Sequence, residues 1–557
     1  MTSSPATEWS RAFFGALIAQ GVRDVVISPG ARSQALALAA LEWEDLGELN
    51  VHVVIDERSA AFRALGLSME SQVPAVCIAT SGSAPAHYYP AVMEAHHAGV
   101  GMIVVSADRP HELQGVGANQ TTQQSGLFGF AAPSWDSAAT GRDDARTAHA
   151  VGVSVALHAA RFRPAHVNVA FREPLSSSEP AEGMLPPRVA EEIGDTEKTV
   201  LSLTAEPGTL VIAGHGAGAV AEQLAVSLGA PLIAEVVSGS RFGPHLVLAY
   251  REVLAHPELP GPVNRVIAVG RPTLSREVWR LLENPSLVHI VLRGTEAYVA
   301  NPTREAQIVD IIDVPSPATA EQRSQWVKPW VMAARKLYEA TLSTVMPTPP
   351  DWSQEDSDGS APRNAFAQQE MKVLRRPVTR PELALAVWEA SWPHDRLVLG
   401  ASRMVREMDQ IVGSKNIRVY SNRGLSGIDG TISTARGIAS AAVRAGASGI
   451  TRVVLGDLAF VHDAGSLLVE PGVEDLSRVH LFVANDGGGT IFDALEVRNS
   501  APQAARDRVL YTPQNVDFEA LAKAYGWEYA SVTRMGELSD ALVRSDARLI
   551  VDVALAR

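Results

Sequence analysis

Gly456-Asp457, closing the run Thr451-Arg-Val-Val-Leu455, and Asn485-Asp486-Gly487-Gly488-Gly489, closing Val479-His-Leu-Phe-Val-Ala484, decide how this chain is read. Both runs are short and mainly apolar, the pattern of strands buried on both faces of a parallel sheet. Each run delivers polar residues to its C-terminal end, where open α/β sheets bind ligands. Asn485 lies 28 residues beyond Asp457. A carboxylate on one loop and an Asn/Asp pair on another can grip one hard cation through oxygen, and the adjoining glycines let a diphosphate approach the backbone.

The rest of the chain is read outward from there. Its 557 residues leave room for roughly three or four domains. With 46% hydrophobic and 20% charged residues the composition is that of a globular protein. The net charge of −14 argues against nucleic acid or an anionic membrane as the main partner. Cys77, the one cysteine, lies in an apolar run, so it is expected as a small buried hydrophobe and no intramolecular disulfide forms. The N-terminus lacks a basic leader, and no apolar run approaches about 18 residues. A cytoplasmic enzyme without a membrane span is expected.

Strand-like runs alternating with helical segments argue for an α/β protein of three doubly wound parallel sheets. The first block, residues 1–190, carries runs at Asp24–Ile27, Val51–Ile55, Ala75–Ala79, Met102–Val105 and His166–Val169. The second, residues 196–345, carries them at Thr209–Ala213, Pro231–Glu235, Arg265–Gly270 and Val288–Leu292. The third, residues 376–557, carries Arg396–Gly400, Ile417–Tyr420, the two opening runs and Arg548–Val553. Residues 346–375 are assigned to a linker on the polar, Pro-rich stretch 346–364, and residues 173–195 are likewise Pro/Ser/Glu-rich. No short-period repeat is present.

Several polar groups fall at the ends of these runs. Asp56-Glu57-Arg58 opens a helix in which Ala60, Ala64 and Gly66 would let it pack close to a sheet. Ser28-Pro29-Gly30-Ala31-Arg32-Ser33 and Thr80-Ser81-Gly82-Ser83 are glycine-bearing strand-to-helix turns suited to a ring edge or a carboxylate. Arg109 and the amides Asn119 and Gln120 follow the fourth run. The third block adds Gly400-Ala-Ser402-Arg-Met404-Val-Arg406 and Ser421-Asn-Arg423-Gly-Leu-Ser-Gly-Ile428-Asp-Gly430. Gly214-His-Gly216-Ala-Gly218 followed by Glu235 superficially matches a dinucleotide fingerprint with its ribose acid. Arg32, Arg109, Arg406 and Arg423 suit substrates bearing several carboxylates. His462 and the His96-His97 pair are expected to be structural.

The motifs SPGARS, DERSA, TSGSA, SADRP, GANQT, SNRGLSGIDGT, GDLAFVHD and NDGGGTIF, in this order from residue 28 to about 492, resemble the thiamine-diphosphate enzymes, and within them the 2-succinyl-5-enolpyruvyl-6-hydroxy-3-cyclohexene-1-carboxylate (SEPHCHC) synthase family of menaquinone biosynthesis. NRGxSGIDG joined to GDLxFxHD is the specific part; the middle block matches only in GRPTL at Gly270–Leu274. The resemblance implies pyrimidine-binding, central and diphosphate-binding domains of the thiamine-diphosphate-enzyme type, with the central one commonly lacking a cofactor. It implies that thiamine diphosphate adds to 2-oxoglutarate, carbon dioxide leaves, and the succinyl-semialdehyde carbanion adds to isochorismate in a Stetter-like 1,4-addition.

Roles follow from the same resemblance. Glu57 would bond the aminopyrimidine ring nitrogen, and Ile428 would support the bent cofactor. Ser28, Pro29, Gly30, Ser81 and Gln120 would meet one end of the cofactor; Ser402, Met404, Gly456, Asp457, Leu458, Gly488, Gly489, Ile491 and Phe492 would meet the other. Arg32, Gln120, Arg406 and Arg423 would act with Glu57 in catalysis, and Arg32, Arg109, Asn119, Gln120, Ser402, Arg406 and Arg423 would bind substrate. A magnesium or manganese ion would take Asp457, then either Asp486 with the Gly488 carbonyl or Asn485 with Gly487. Counting back from Ile491-Phe492 favours the first, and counting forward from the strand the second. The active site would lie between subunits of a homodimer or dimer of dimers, Glu57 of one meeting the Asp457 loop of another. Ala31 stands where the family has serine, and Leu458 replaces the superfamily's glycine. An acetolactate-synthase-like carboligase is the alternative within enzymes. A non-catalytic ligand sensor is the alternative outside them.

Overall fold

A computed structural model describes residues 4–139, 144–176, 197–256, 258–346, 360–470 and 476–557. The first sheet has six parallel strands: β1 (Asp24–Ile27), β2 (Asn50–Val53), β3 (Ala75–Ala79), β4 (Met102–Asp108), β5 (Ser134–Ala139) and β6 (Pro164–Phe171). Their order is 2-1-3-4-6-5. Its apolar runs are continuous because both faces are packed. Val25, Ile27, Val76 and Ile78 face one core with the helices Pro5–Ala19 and Gln34–Asp45. Val26, Cys77 and Ala79 face another with the helices Glu57–Ser71 and Tyr89–Ala98. The period-two alternation of a strand thus serves two cores at once. Cys77 is fully buried, and burial pushes its thiol pKa well up.

After β7 (Val200–Ser202), a middle sheet contains β8 (Thr209–Ala213), β9 (Leu232–Ala234), β10 (Arg265–Val269), β11 (Val288–Leu292) and β12 (Gln307–Val309) in the order 12-11-10-8-9. Strand β13 (Ile311–Asp313) pairs with β7 beside it. The third sheet has β14 (Arg396–Leu399), β15 (Arg418–Tyr420), β16 (Thr451–Gly456), β17 (Val479–Asn485), β18 (Glu528–Val532) and β19 (Arg548–Ala554), ordered 15-14-16-17-19-18. Counted from its own first strand, that order is 2-1-3-4-6-5. The two outer sheets therefore share one topology without a repeat in the sequence. Val454, Phe482 and Ala484 face one core of the third sheet, while Val453, Leu455, Leu481 and Val483 face the other.

The outer sheets meet through the helix Glu57–Ser71 and the helix Thr431–Arg444. A β-carbon on Gly66 would lie 2.0 Å from the Thr434 carbonyl oxygen, and one on Gly437 2.2 Å from that of Arg63. Ala60 and Ala64 pack into the first sheet's core as expected, but Gly66 serves this helix crossing instead. Glu70 accepts from Arg396 (2.5 Å), Arg418 (3.0 Å) and Tyr420 across the same boundary. The middle sheet joins the third through fully buried Asp409, which accepts from Val236 N (2.8 Å), the Tyr250 hydroxyl (2.6 Å) and Arg251 (2.5 Å).

Three sequence expectations change. The assigned linker, residues 346–375, contains a helix at Ser360–Leu374; its residues 347–359 lie outside the described residues, as do 177–196 of the other Pro/Ser/Glu-rich segment. From Ser360 on the chain is rich in helix formers, and the polarity of the preceding residues masked this. The expected strand at Val51–Ile55 is Asn50–Val53. Strands β5, β7, β12, β13 and β18 were not foreseen: they are short or only partly buried and show no sustained apolar run.

Candidate active site

Each sheet order reverses between its first and third strands, so the loops after β1 and β3, and after β14 and β16, border the two switch-point crevices. Those loops are Ser28-Pro29-Gly30, Thr80-Ser81-Gly82, Gly400-Ala401-Ser402 and Gly456-Asp457. Glu57 and Arg423 follow the second strand of their sheets, β2 and β15, and Arg109 and Asp486 follow the fourth, β4 and β17. One topology used twice thus sets out the two halves of the predicted constellation.

In the first half, the buried Ser28 hydroxyl donates to Val54 O (3.0 Å). Pro29 and Gly30 lead into the helix; a β-carbon on Gly30 would lie 2.2 Å from that of Thr80, so only glycine lets the two loops touch. Ser81 is buried with no partner for its hydroxyl. Gln120, at φ +54°, donates to Ser81 O (3.1 Å), while Asn119 beside it is exposed. Glu57 occupies the first helical position after Asp56, whose carboxylate caps Ser59 N (3.2 Å). That cap is worth about 1 kcal/mol and fixes where the helix begins. Arg32 is buried, donates to Phe171 O (3.2 Å) and lies 3.7 Å from Glu173. Burial, and next the charge of Arg109, lower its pKa.

In the second half, Asp457 opens a short helix. Its Oδ1 accepts from Leu458 N (2.8 Å) and its Oδ2 from Gly488 N (2.7 Å). Its pKa is pushed up to about 6, by burial first and also by the charge of Asp486. Asp486 Oδ2 takes two bonds from Arg380 (2.7 and 3.0 Å) and one from Thr490 Oγ1 (2.5 Å). Asn485 turns away: its amide donates to Asp552 (3.0 Å). Gly488 has φ +127°, and a β-carbon there would stand 2.2 Å from Tyr511 O. Gly489 N donates to Tyr511 O (2.8 Å), and Ile491 and Phe492 follow on a 3-10 turn. Ser402 caps the helix Arg403–Ile411 through Met404 N (3.3 Å); Met404 is buried in the core, and Arg406 donates to Ser402 O (2.9 Å).

This half fits a cation-bound diphosphate. Asp457 and Asp486 are buried carboxylates whose charges act on one another, and carboxylate oxygen is the donor a hard divalent ion takes. Among the described residues no cluster of three His, Cys, Asp or Glu side chains exists, so main-chain and ligand oxygens must complete the coordination. Glycine at 488 lets this turn pack directly on the Tyr511 main chain.

Of the four arginines, Arg32 feels the charge of Arg109 in the first sheet, and Arg423 that of Arg406 in the third, along with Arg271. No hydrogen bond or ion pair holds the Glu57 carboxylate among the described residues, and Ile428 is 39% exposed. Arg58, next to Glu57, donates to the carbonyl of His462 (2.9 Å) and meets its Nδ1 (3.4 Å), at the far end of the Asp457 helix. His96 and His97 pack with Phe130 and Tyr298, in keeping with a structural role.

Three contributors were missed. Glu94, on the Tyr89–Ala98 helix, accepts from Gly424 N and Leu425 N (2.6 Å) and so clamps the loop carrying Arg423 and Ile428. Arg380 holds Asp486. Asp463 accepts from Ile432 N (2.7 Å), Ser433 N (3.3 Å) and Ser466 Oγ (2.7 Å), capping a helix whose own N-cap, Gly430, has no side chain. The GDLAFVHD motif ends on it, the signal that was available. Ser466 in turn meets Ser59 (2.9 Å) in the Glu57 helix. Burial raises Asp463 from 3.8 to about 6, so the folded chain keeps a proton that the unfolded chain loses. Stability is therefore expected to fall as pH rises across that window, by up to about 1.4 kcal/mol per unit. Urea midpoints through the window should show a shallower fall for Asp463→Asn; parallel curves would refute the assignment.

The dinucleotide-like pattern is put to another use. Glu235 is 1% exposed, and its carboxylate accepts from Thr273 N (2.8 Å) and Leu274 N (2.6 Å), out of reach of a ribose. A β-carbon on Gly216 would lie 2.0 Å from a Glu296 oxygen, and one on Gly214 2.1 Å from the Arg271 carbonyl carbon. These glycines let the loop after β8 pack on those after β10 and β11.

Two sheets of equal topology joined face to face and a middle sheet, with Glu57 beyond a strand end of one and Asp457 and Asp486 at strand ends of the other, have the architecture of thiamine-pyrophosphate enzymes. The family described as "Thiamine pyrophosphate enzyme, N-terminal TPP binding domain" matches residues 7–127. The crystal structure of benzoylformate decarboxylase from Polynucleobacter necessarius superposes with a TM-score of 0.66 over 100% of this chain and 99% of that one, at 14% identity, which shows the shared fold. Relatives named 2-succinyl-5-enolpyruvyl-6-hydroxy-3-cyclohexene-1-carboxylate synthase are 48% identical in Leifsonia xyli and 46% in Clavibacter michiganensis, each match covering 100% of this chain and 97% of the relative. One from Mycobacterium avium is 34% identical over 97% of this chain and 94% of its own. The chain belongs to the 2-succinyl-5-enolpyruvyl-6-hydroxy-3-cyclohexene-1-carboxylate synthase family, and it is an enzyme. No helix among the described residues is long and apolar enough to cross a membrane.

Proposed function

We propose that this chain releases carbon dioxide from 2-oxoglutarate and adds the remaining succinyl unit to isochorismate by 1,4-addition, giving 2-succinyl-5-enolpyruvyl-6-hydroxy-3-cyclohexene-1-carboxylate. The observation carrying this is the full-length identity with relatives named for that product, supported by Glu57, Asp457 and Asp486 at strand ends of matched topology. Bound thiamine diphosphate supplies the electron sink for decarboxylation. Glu57 would hold the proton at the pyrimidine ring nitrogen, and Ser28, Pro29, Gly30, Ser81 and Gln120 would hold that end of the cofactor. Asp457, Asp486 and the Gly488 carbonyl would hold a magnesium or manganese ion with the diphosphate. Asn485, bonded to Asp552, is left out. Arg32, Arg109, Arg406 and Arg423 bind substrate carboxylates, and Ile428 supports the cofactor from the side.

In this reading residues 1–190 are the pyrimidine-binding domain, 196–345 the central domain and 376–557 the diphosphate-binding domain. A cytoplasmic homodimer or dimer of dimers closes each site, Glu57 of one subunit meeting the Asp457 loop of another; the absence of a hydrogen-bond partner for the Glu57 carboxylate among the described residues supports this. The test is a coupled assay with the cofactor and Mg2+, following carbon dioxide release and isochorismate loss. Equal consumption of 2-oxoglutarate and isochorismate is expected. Carbon dioxide release from pyruvate with isochorismate untouched would keep the cofactor class and discard this reaction.

A further inference from the structure

The middle sheet holds no part of the proposed cofactor site, yet several of its polar contacts lead to one residue of the proposed substrate site. Thr273, in the loop after β10, accepts from Arg423 twice: Nε to Oγ1 (3.0 Å) and Nη2 to the carbonyl oxygen (3.2 Å). Buried Glu235, after β9, fixes that same threonine by accepting its N–H and that of Leu274. From the same loop, Arg271 donates to the carbonyl oxygens of Arg423 and Gly424 (2.6 Å to the latter). Arg423 is 2% exposed, and its Nη1 has no partner.

A guanidinium held on its Nε and one Nη edge, with the other Nη left free, is set to receive one more acceptor. Around it Glu235 and Glu94 favour the charge while Arg406 and Arg271 oppose it, yet no acceptor of the chain reaches Nη1; a buried donor left unpaired is costly, and a carboxylate from outside the chain would satisfy it. We infer that Glu235, acting through Thr273, is a positioning residue that aims Arg423 at a substrate carboxylate, so that the middle sheet sets substrate affinity. This rests on the carboxylate role given to Arg423 under the proposed function.

The test is a double-mutant cycle on the holoenzyme, reading KM for 2-oxoglutarate and for isochorismate with Tm as the folding control. Thr273→Val keeps the shape and removes Oγ1; it should raise one KM about 10-fold with kcat within about 2-fold. Arg423→Ala should raise the same KM further, and adding Thr273→Val to it should change nothing more. Glu235→Gln should move the same KM in the same direction; if it does not fold, Thr273→Val carries the test alone. Independent, multiplying effects of Thr273→Val and Arg423→Ala would overturn the inference. So would an unchanged KM in Thr273→Val where Arg423→Ala raises it. If Arg423→Ala leaves both KM values unchanged, the carboxylate role itself fails and the inference goes with it.

Discussion

A Glu57→Gln enzyme should lose about 10²- to 10⁴-fold in kcat, the range expected when a positioned proton-transfer group is removed. The amide keeps the shape and the place at the first turn of the Glu57–Ser71 helix, but it cannot hold and return a proton at the cofactor ring. Its effect on stability should be small. Losing a negative charge at a helix N-terminus costs about 0.3–1 kcal/mol, and the Asp56 cap that starts the helix stays in place. The pairing of a large kcat loss with a small Tm change separates proton chemistry from the ordinary use of a strand-end glutamate. Steady-state kinetics giving a kcat within about threefold of wild type would reduce Glu57 to a dipole partner.

The second large effect concerns how sites are shared. Asp457→Ala should abolish activity on its own, because it leaves a single carboxylate for the ion, Asp486, whose Oδ2 is shared with Arg380 and Thr490. Mixed with Glu57→Gln chains after dissociation, it should regain activity. Random pairing makes half the dimers mixed, and each mixed dimer has one intact site, so recovery should approach about a quarter of the wild-type rate. Heterodimers shown to form by mass spectrometry yet remaining inactive would place the whole site within one chain.

How far the sequence reached can be judged from individual residues. The runs around Val454 and Phe482 were readable as strands because both faces of each are buried, which makes the apolar pattern continuous. The shared 2-1-3-4-6-5 order was not, because strand order comes from pairing between distant segments and leaves no periodic trace. Glu94 reads as an ordinary helix charge; its partners are the main-chain N–H groups of Gly424 and Leu425, about 330 residues away, and main-chain donors have no letter in a sequence. The Asn485 or Asp486 ambiguity had the same origin, since direction at the end of β17 depends on Asp552 and Arg380 in other elements. GRPTL was visible as a motif, but its partner Glu235 first suggested a nucleotide, because a strand-end acid looks alike whether it meets a ribose or two backbone amides.

The glycine crossing of Gly66 and Gly437 has a consequence for how the protein is made. Its two helices are separated by about 360 residues, from Ser71 to Thr431. At ribosomal rates of about 5–20 residues per second, the first helix emerges about 20–70 s before its mate. During that interval the N-terminal sheet can finish folding with its small-residue groove uncovered. A neighbouring nascent chain can then occupy the groove ahead of the chain's own C-terminal half. Yield from crowded polysomes should therefore depend on expression rate more steeply than the folded enzyme's stability would indicate.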